Sequence, residues 1–325
     1  MCCACQEPFT FSTPVPYRRV MVRHIGLKLR MLLSGTILFA LYAGAAGLAY
    51  LAFGQSTSIL ALFAVGSVLL VGFQYKFGKW AALRSVGAED MPEEGRYQEI
   101  HHAVEQLSRD MGIDKPRLMV AEMGMPNAFA VGRKGAGVVV VSQEIIDLLE
   151  RDELEGVLAH ELAHINNRDV VMMLLGQSIA SMVGIVVQYV VIFAGDNRGL
   201  ADFFVGMIAG TIAQFLVMIF VFAISRYREY VADSDAAEYT GNPDAMARAL
   251  EKIQQGAKAK QEARAEAKAS RGRGRGRGRQ QRQQDDGLSD EVAALCIFGG
   301  ERGVLATIFA THPPVEKRIQ KLRSR

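Results

Sequence analysis

Charge is absent from three long stretches of this 325-residue chain: residues 31–75, 170–195 and 203–225 contain no Asp, Glu, Lys or Arg. Most soluble helices keep one wet face, so apolar runs of this length argue against ordinary core or surface helices. A hydrocarbon core about 30 Å thick is crossed by roughly 20 apolar residues of helix. The first stretch has room for two crossings and each of the others for one, which predicts four transmembrane helices. Glycines such as Gly44, Gly47, Gly176 and Gly184 suit close packing between them. Cysteine is scarce as well: Cys2, Cys3 and Cys5 crowd the N-terminus and Cys296 stands alone. That excludes a secreted disulfide framework, and with no apolar stretch before the trio a lipoprotein signal is excluded too. A net charge of only +3 gives no reason to expect a polyanionic partner for the chain as a whole.

The charge that is present is placed informatively. Arg18, Arg19, Arg23, Lys28 and Arg30 precede the first apolar stretch, and Lys76, Lys79 and Arg84 follow it. The turn within it, Gly54–Ser58, has no charge. By the positive-inside rule both flanks are cytoplasmic, and four crossings return the C-terminus to the same side. The predicted organisation is a basic lead (1–30), a membrane hairpin (31–75), a first soluble part (76–169), a second helix pair (170–225) and a second soluble part (226–325).

Within the first soluble part a polar helix is expected near 93–112 and a strand at Arg117–Glu122. The apolar runs Asn127–Val131 and Gly137–Ser142, separated by a Gly-containing turn, read as a β-hairpin. Asp152 followed by Glu155 suggests the cap of the next helix. From about 256 to 290 the composition changes. Arg and Gly alternate from Arg271 to Arg279, a Gln-rich tract follows, and no large apolar side chain is available to offset ordering, so disorder is expected. Such segments bind RNA in some proteins; the blander reading is a solvated insertion.

The chemistry is concentrated in His160-Glu161-Leu162-Ala163-His164. Positions four apart share a helix face, so both imidazoles can reach one Zn²⁺, while Glu161 is placed to act as general base and acid on a metal-bound water. A catalytic zinc takes three protein ligands and keeps a fourth position open. Glu229, just past the fourth apolar stretch, would complete the set. Asp233, one helical turn on, would accept a hydrogen bond from the far nitrogen of a ligand histidine. His312, held by Pro313 and Pro314, reads either as an oxyanion stabiliser or as part of a helix-entry turn. His24, His101 and His102 read as solvated or locally satisfied residues.

With these residues in hand the chain resembles the HtpX-type membrane zinc metalloproteases, whose wider family includes the CAAX prenyl endopeptidases. The resemblance rests on Pro126–Gly132, His160–Asp169, Ser225–Asp233 and Thr311–Ile319, with membrane helices between them in the matching order. It implies a mainly α membrane protein with four transmembrane helices and a cytoplasmic α+β, zincin-like domain containing a short β-sheet. It further implies one Zn²⁺ per chain, a bacterial inner-membrane location, and misfolded membrane proteins as substrates under stress. Asn127, Ala128, Phe129 and Ala130 would form the edge strand along which a substrate pairs by its backbone. Competing readings are a CAAX-type prenyl endopeptidase, an intramembrane site-2-type protease, and a membrane tether for RNA acting through Arg271–Arg279. Four crossings argue against the first, and the charged neighbours Glu150–Glu153, Arg168 and Asp169 against the second.

Overall fold

The computed structural model describes residues 25–52, 56–195, 199–272 and 313–325. Cys2, Cys3, Cys5, Cys296, His312 and Gly274–Arg279 of the Arg-Gly tract lie outside them.

The charge-free stretches form four helices: α1 (Ile25–Ala52), α2 (Thr57–Ser85), α6 (Asp169–Ala194) and α7 (Leu200–Thr240). All four are long and apolar enough to cross a membrane. Their large apolar side chains point outward, with Phe39 69 %, Leu62 70 % and Val68 71 % exposed. Such contiguous exposed apolar surface is what a lipid environment covers. Between the helices Leu38, Ala180, Val217 and Val221 form one small apolar cluster and Ala45, Ala49, Phe63 and Val186 another, and small residues let the backbones approach closely. A Cβ on Gly210 would stand 2.6 Å from the Gly184 carbonyl oxygen, and one on Gly206 would stand 2.7 Å from that of Gln188. The pair α6 and α7 meets through these glycines.

Two of the four helices do not stop where the apolar stretch stops. α2 continues to Ser85, and Ala82 and Leu83 pack against the sheet's Met119, Phe129, Val131 and Val140. α7 continues to Thr240, so the boundary expected at residue 226 falls inside one unbroken helix. No Gly or Pro occurs between Thr211 and Thr240 to interrupt it.

The globular part is an α+β layer. β1 (Glu89–Asp90), β2 (Arg117–Ala121), β3 (Ala128–Val131) and β4 (Val138–Ser142) form one sheet in the order β1-β2-β4-β3. β2 runs parallel to β4, and β3 is antiparallel to β4 with Phe129 opposite Val140, as the predicted hairpin requires. Strand β3 therefore forms an edge. α3 (Arg96–Met111), α4 (Gln143–Leu148) and α5 (Arg151–Asn166) follow the sheet's connections. Ile100, Val104 and Leu107 of α3 and Leu154, Val157, Leu158 and Leu162 of α5 form the core with Val139, Val141 and Ile145.

α8 (Pro243–Gly272) and α9 (Val315–Arg323) complete the fold. α8 corrects the expectation of disorder from residue 256, because the helix runs on to Gly272. The stretch is rich in Ala, Lys, Glu, Gln and Arg, all strong helix formers, and helix propensity there needs no buried face. The start of α5 is a second correction. Its N-cap is Glu150 rather than Asp152, and the Glu153 carboxylate reaches back to accept the Glu150 N–H at 3.0 Å. Glu153 is fully buried and also receives Arg248 (3.3 Å) and Lys252 (2.7 Å), which pin α8 to α5.

Candidate metal centre

α5 is buried almost all round, so its polar residues sit in the interior rather than on a wet face. His160 and His164, one turn apart, bring their Nε2 atoms to 3.1 Å. Glu229 enters from α7, its Oε2 3.5 Å from His160 Nε2 and its Oε1 3.5 Å from His164 Nε2. Among the described residues this is the one group of three or more potential ligands whose donor atoms lie within 4.8 Å of one another. Ligands 2.0–2.1 Å from a tetrahedral zinc stand about 3.3 Å apart. The 3.1 Å between the two Nε2 atoms, and the 3.5 Å from each to one of the two Glu229 oxygens, are close to that spacing.

The second nitrogen of each imidazole faces a carboxylate. His160 Nδ1 lies 3.0 Å from Asp233 Oδ1. His164 Nδ1 lies 2.6 Å from Asp169 Oδ2, a partner the sequence reading did not assign. A carboxylate behind each imidazole would hold the ring in place and leave Nε2 as a lone-pair donor toward a metal.

Charge supplies an independent test of fit. Glu161, Glu229, Asp233 and Asp169 bring four carboxylates into or beside the triad, and Arg228 and Arg318 bring two guanidinium groups. None of the six residues is more than 7 % exposed. Ionised, they leave a deficit of two positive charges in a low-dielectric interior, where uncompensated charge is costly. Burial would lower the His160 pKa, but Asp233 and then Glu229 outweigh it and raise it to about 10. Burial works against protonated His164 too, yet Glu229 and Asp169 raise its pKa. A divalent cation bound between the imidazoles and Glu229 would balance that charge. The residues present fit such a cation.

Two arginines went unnoticed in the sequence. Arg318, on α9, is fully buried and grips Asp233 with both ends of its fork, Nε to Oδ2 at 2.8 Å and Nη2 to Oδ1 at 2.6 Å. Its Nη1 lies 3.3 Å from Glu229, and these carboxylates hold its pKa above the usual range despite burial. Arg228, beside Glu229 on α7, pairs with Asp169. Helical spacing gave the first histidine contact; the arginine partners come from remote chain segments and carry no local signal.

Of the expected substrate strand, Ala128–Val131 form β3, with Asn127 immediately before it. Asn127 directs its backbone toward Ser142: its carbonyl accepts the Ser142 N–H at 2.8 Å, and its N–H donates to Ser142 Oγ at 3.0 Å. Alternation along an antiparallel pair then turns the N–H and C=O of Ala128 and Ala130 away from β4; Ala128 is fully buried and Ala130 half-buried.

Comparison with known proteins places this geometry in context. Residues 94–325 match the model of Peptidase family M48. The chain is 60% identical over 294 residues to a Protease HtpX homolog of Halobacterium salinarum, covering 90% of this chain and 100% of that protein. It is 34% identical to a Protease HtpX homolog of Pyrococcus abyssi, covering 92% and 96% of the two chains. Among solved structures, S. mikatae Ste24p superposes with a TM-score of 0.53 at 16% identity over 92% of this chain and 67% of that one, a likeness of fold. The resemblance drawn from the sequence motifs therefore extends to relatives aligned along nearly the whole chain.

Proposed function

Since the chain belongs to peptidase family M48 and is a membrane metallopeptidase, we propose that it is a zinc endopeptidase working at the cytoplasmic face of the plasma membrane. The observation that carries this reading is the triangle of His160, His164 and Glu229, with Asp233 and Asp169 behind the two imidazoles. In it, these three residues hold one Zn²⁺. The metal would polarise the scissile carbonyl and acidify a water. Glu161, next to His160 and not needed as a ligand, takes the proton from the attacking water and delivers it to the departing amine.

The backbone groups of half-buried Ala130, which face away from β4, support a substrate that pairs along β3 as an added strand. Recognition through the main chain tolerates many sequences, which suits unfolded or damaged membrane proteins as substrates. The cytoplasmic placement rests on the cations that flank α1 and α2.

Metal analysis and cleavage of an unfolded membrane-protein substrate should be measured on the purified full-length chain. Glu161→Gln is expected to keep zinc and lose at least about 100-fold in rate, the lower range for a general base. Glu229→Ala is expected to lose both. A Glu161→Gln enzyme cleaving at the wild-type rate would sink the assignment of the base.

A further inference from the structure

The turn between α5 and α6 is held by a residue from α7 that neither binds the metal nor faces the substrate edge. Arg228 is 3% exposed. It donates from Nη1 to the Asp169 carbonyl at 3.2 Å and from Nη2 to the Asn167 carbonyl at 3.0 Å. Its Nη2 also pairs with Asp169 Oδ1. The other carboxylate oxygen, Oδ2, is the one 2.6 Å from His164 Nδ1. One carboxylate is therefore divided between a guanidinium and a ligand imidazole.

Arg168, between the two carbonyls that Arg228 meets, has φ 57°, the single non-glycine residue with positive φ among those described, a backbone region that residues with a Cβ seldom adopt. A second contact from the same helix, Asn167 Nδ2 to Asp235 Oδ2 at 2.8 Å, secures the turn one residue before Arg168.

We propose that Asp169 and Arg228 act as a positioning pair for His164. Arg228 occupies Oδ1, and this leaves Oδ2 to accept the Nδ1 proton. His164 is thereby fixed in the tautomer whose Nε2 is a bare lone pair aimed at the metal. The proposal rests on the reading of His160, His164 and Glu229 as metal ligands, and it gives Asp169 and Arg228 a role toward that metal that burial alone does not.

A specific consequence separates positioning from structure. In Asp169→Asn one oxygen becomes an NH₂ group. Arg228 has only donors to offer, so it claims the remaining carbonyl and turns the NH₂ toward His164 Nδ1. The imidazole must then accept at Nδ1 and carry its proton on Nε2, where the metal would bind. Replacing Arg228 by Met as well frees the amide to flip and restores the right tautomer. The double variant should therefore bind metal better than the single one.

The test is a zinc titration against a chromophoric chelator on the full-length chain in detergent, with thermal unfolding of the metal-free protein alongside. Loss of a group that orients a ligand histidine weakens metal affinity by about 10–100-fold. Asp169→Asn is expected at the upper end, and Asp169→Asn with Arg228→Met should recover at least about fivefold of that loss. Arg228→Lys keeps a charge beside Asp169 without the fork and should weaken zinc about tenfold, which serves if Asp169→Asn is too unstable to purify. An Asp169→Asn chain within about twofold of wild type, or a double variant weaker than Asp169→Asn, would overturn the proposal. Wild-type affinity in Arg228→Lys would do the same. Wild-type protein that takes up no zinc, or His164→Ala that takes it up normally, would instead remove the metal reading beneath it.

Discussion

Arg318→Met is the most informative single change for the buried charge at the metal centre. The guanidinium is fully buried and spans both oxygens of Asp233 at 2.8 and 2.6 Å. Methionine nearly fills the space but leaves the Asp233 carboxylate with the His160 imidazole as its remaining charge partner. Breaking a buried pair by removing one member costs about 3–5 kcal/mol. For a globular part of this size each kcal/mol moves the midpoint by about 2–4 °C, so metal-free Arg318→Met should unfold about 6–20 °C below wild type. Removing the second member, in Asp233→Leu with Arg318→Met, takes away both charges, and most of the lost stability should return. Zinc affinity should not return with it. His160 has lost the carboxylate behind Nδ1, and about 10–100-fold of affinity goes with that group. The assay is circular dichroism melting in detergent together with chelator titration. A single variant melting within about 2 °C of wild type, or a double variant no more stable than the single one, would refute the account of a buried charge pair.

Three further outcomes follow from the fold. Ala130→Pro removes an N–H that faces away from β4 on the outer side of edge strand β3, a place where sheets admit proline; cleavage should fall while zinc content, read by metal analysis, stays at wild type. Gly210→Leu would drive a side chain into the Gly184 carbonyl and Gln188, where a Cβ already stands 2.6 and 2.8 Å away; thermal unfolding should show a loss of about 1–3 kcal/mol. Gly72→Leu, with nothing within 4 Å of its Cβ, is the control expected to be neutral. Glu153→Ala would strip the buried acceptor for the Glu150 N–H, Arg248 and Lys252, costing about 2–3 kcal/mol in the same measurement.

The sequence was most informative where a periodic or compositional rule acts locally. Charge-free length gave α1, α2, α6 and α7, two apolar runs about a Gly-containing turn gave the β3–β4 hairpin, and four-residue spacing paired His160 with His164 and Glu229 with Asp233. What it missed depends on competition or on distance. The cap of α5 went to Glu150 because Glu153, already held by two α8 cations, was the better reciprocal partner. The polar tract after residue 256 was misread because lack of burial was taken for lack of helix. Asp169, Arg228 and Arg318 stood inside the motif blocks on which the resemblance rests, yet their partners are 5, 59 and 85 residues away. No local pattern announces such contacts.

The unbroken α7 couples a membrane span to the metal centre. It packs on α6 as far along as Val221, whose Cγ2 a Cβ on Gly176 would meet at 2.9 Å. Glu229 lies eight residues further along, about 12 Å at 1.5 Å per residue. With no glycine or proline between them to absorb bending, a tilt of about 5° at that contact would move Glu229 by about 1 Å, half the length of a metal–ligand bond. Helices answer a change in bilayer thickness by tilting. Cleavage by one enzyme preparation should therefore rise and fall across vesicles of graded acyl-chain length, and a flat profile would refute the coupling. On that account the position of one ligand would answer to the thickness of the membrane around it.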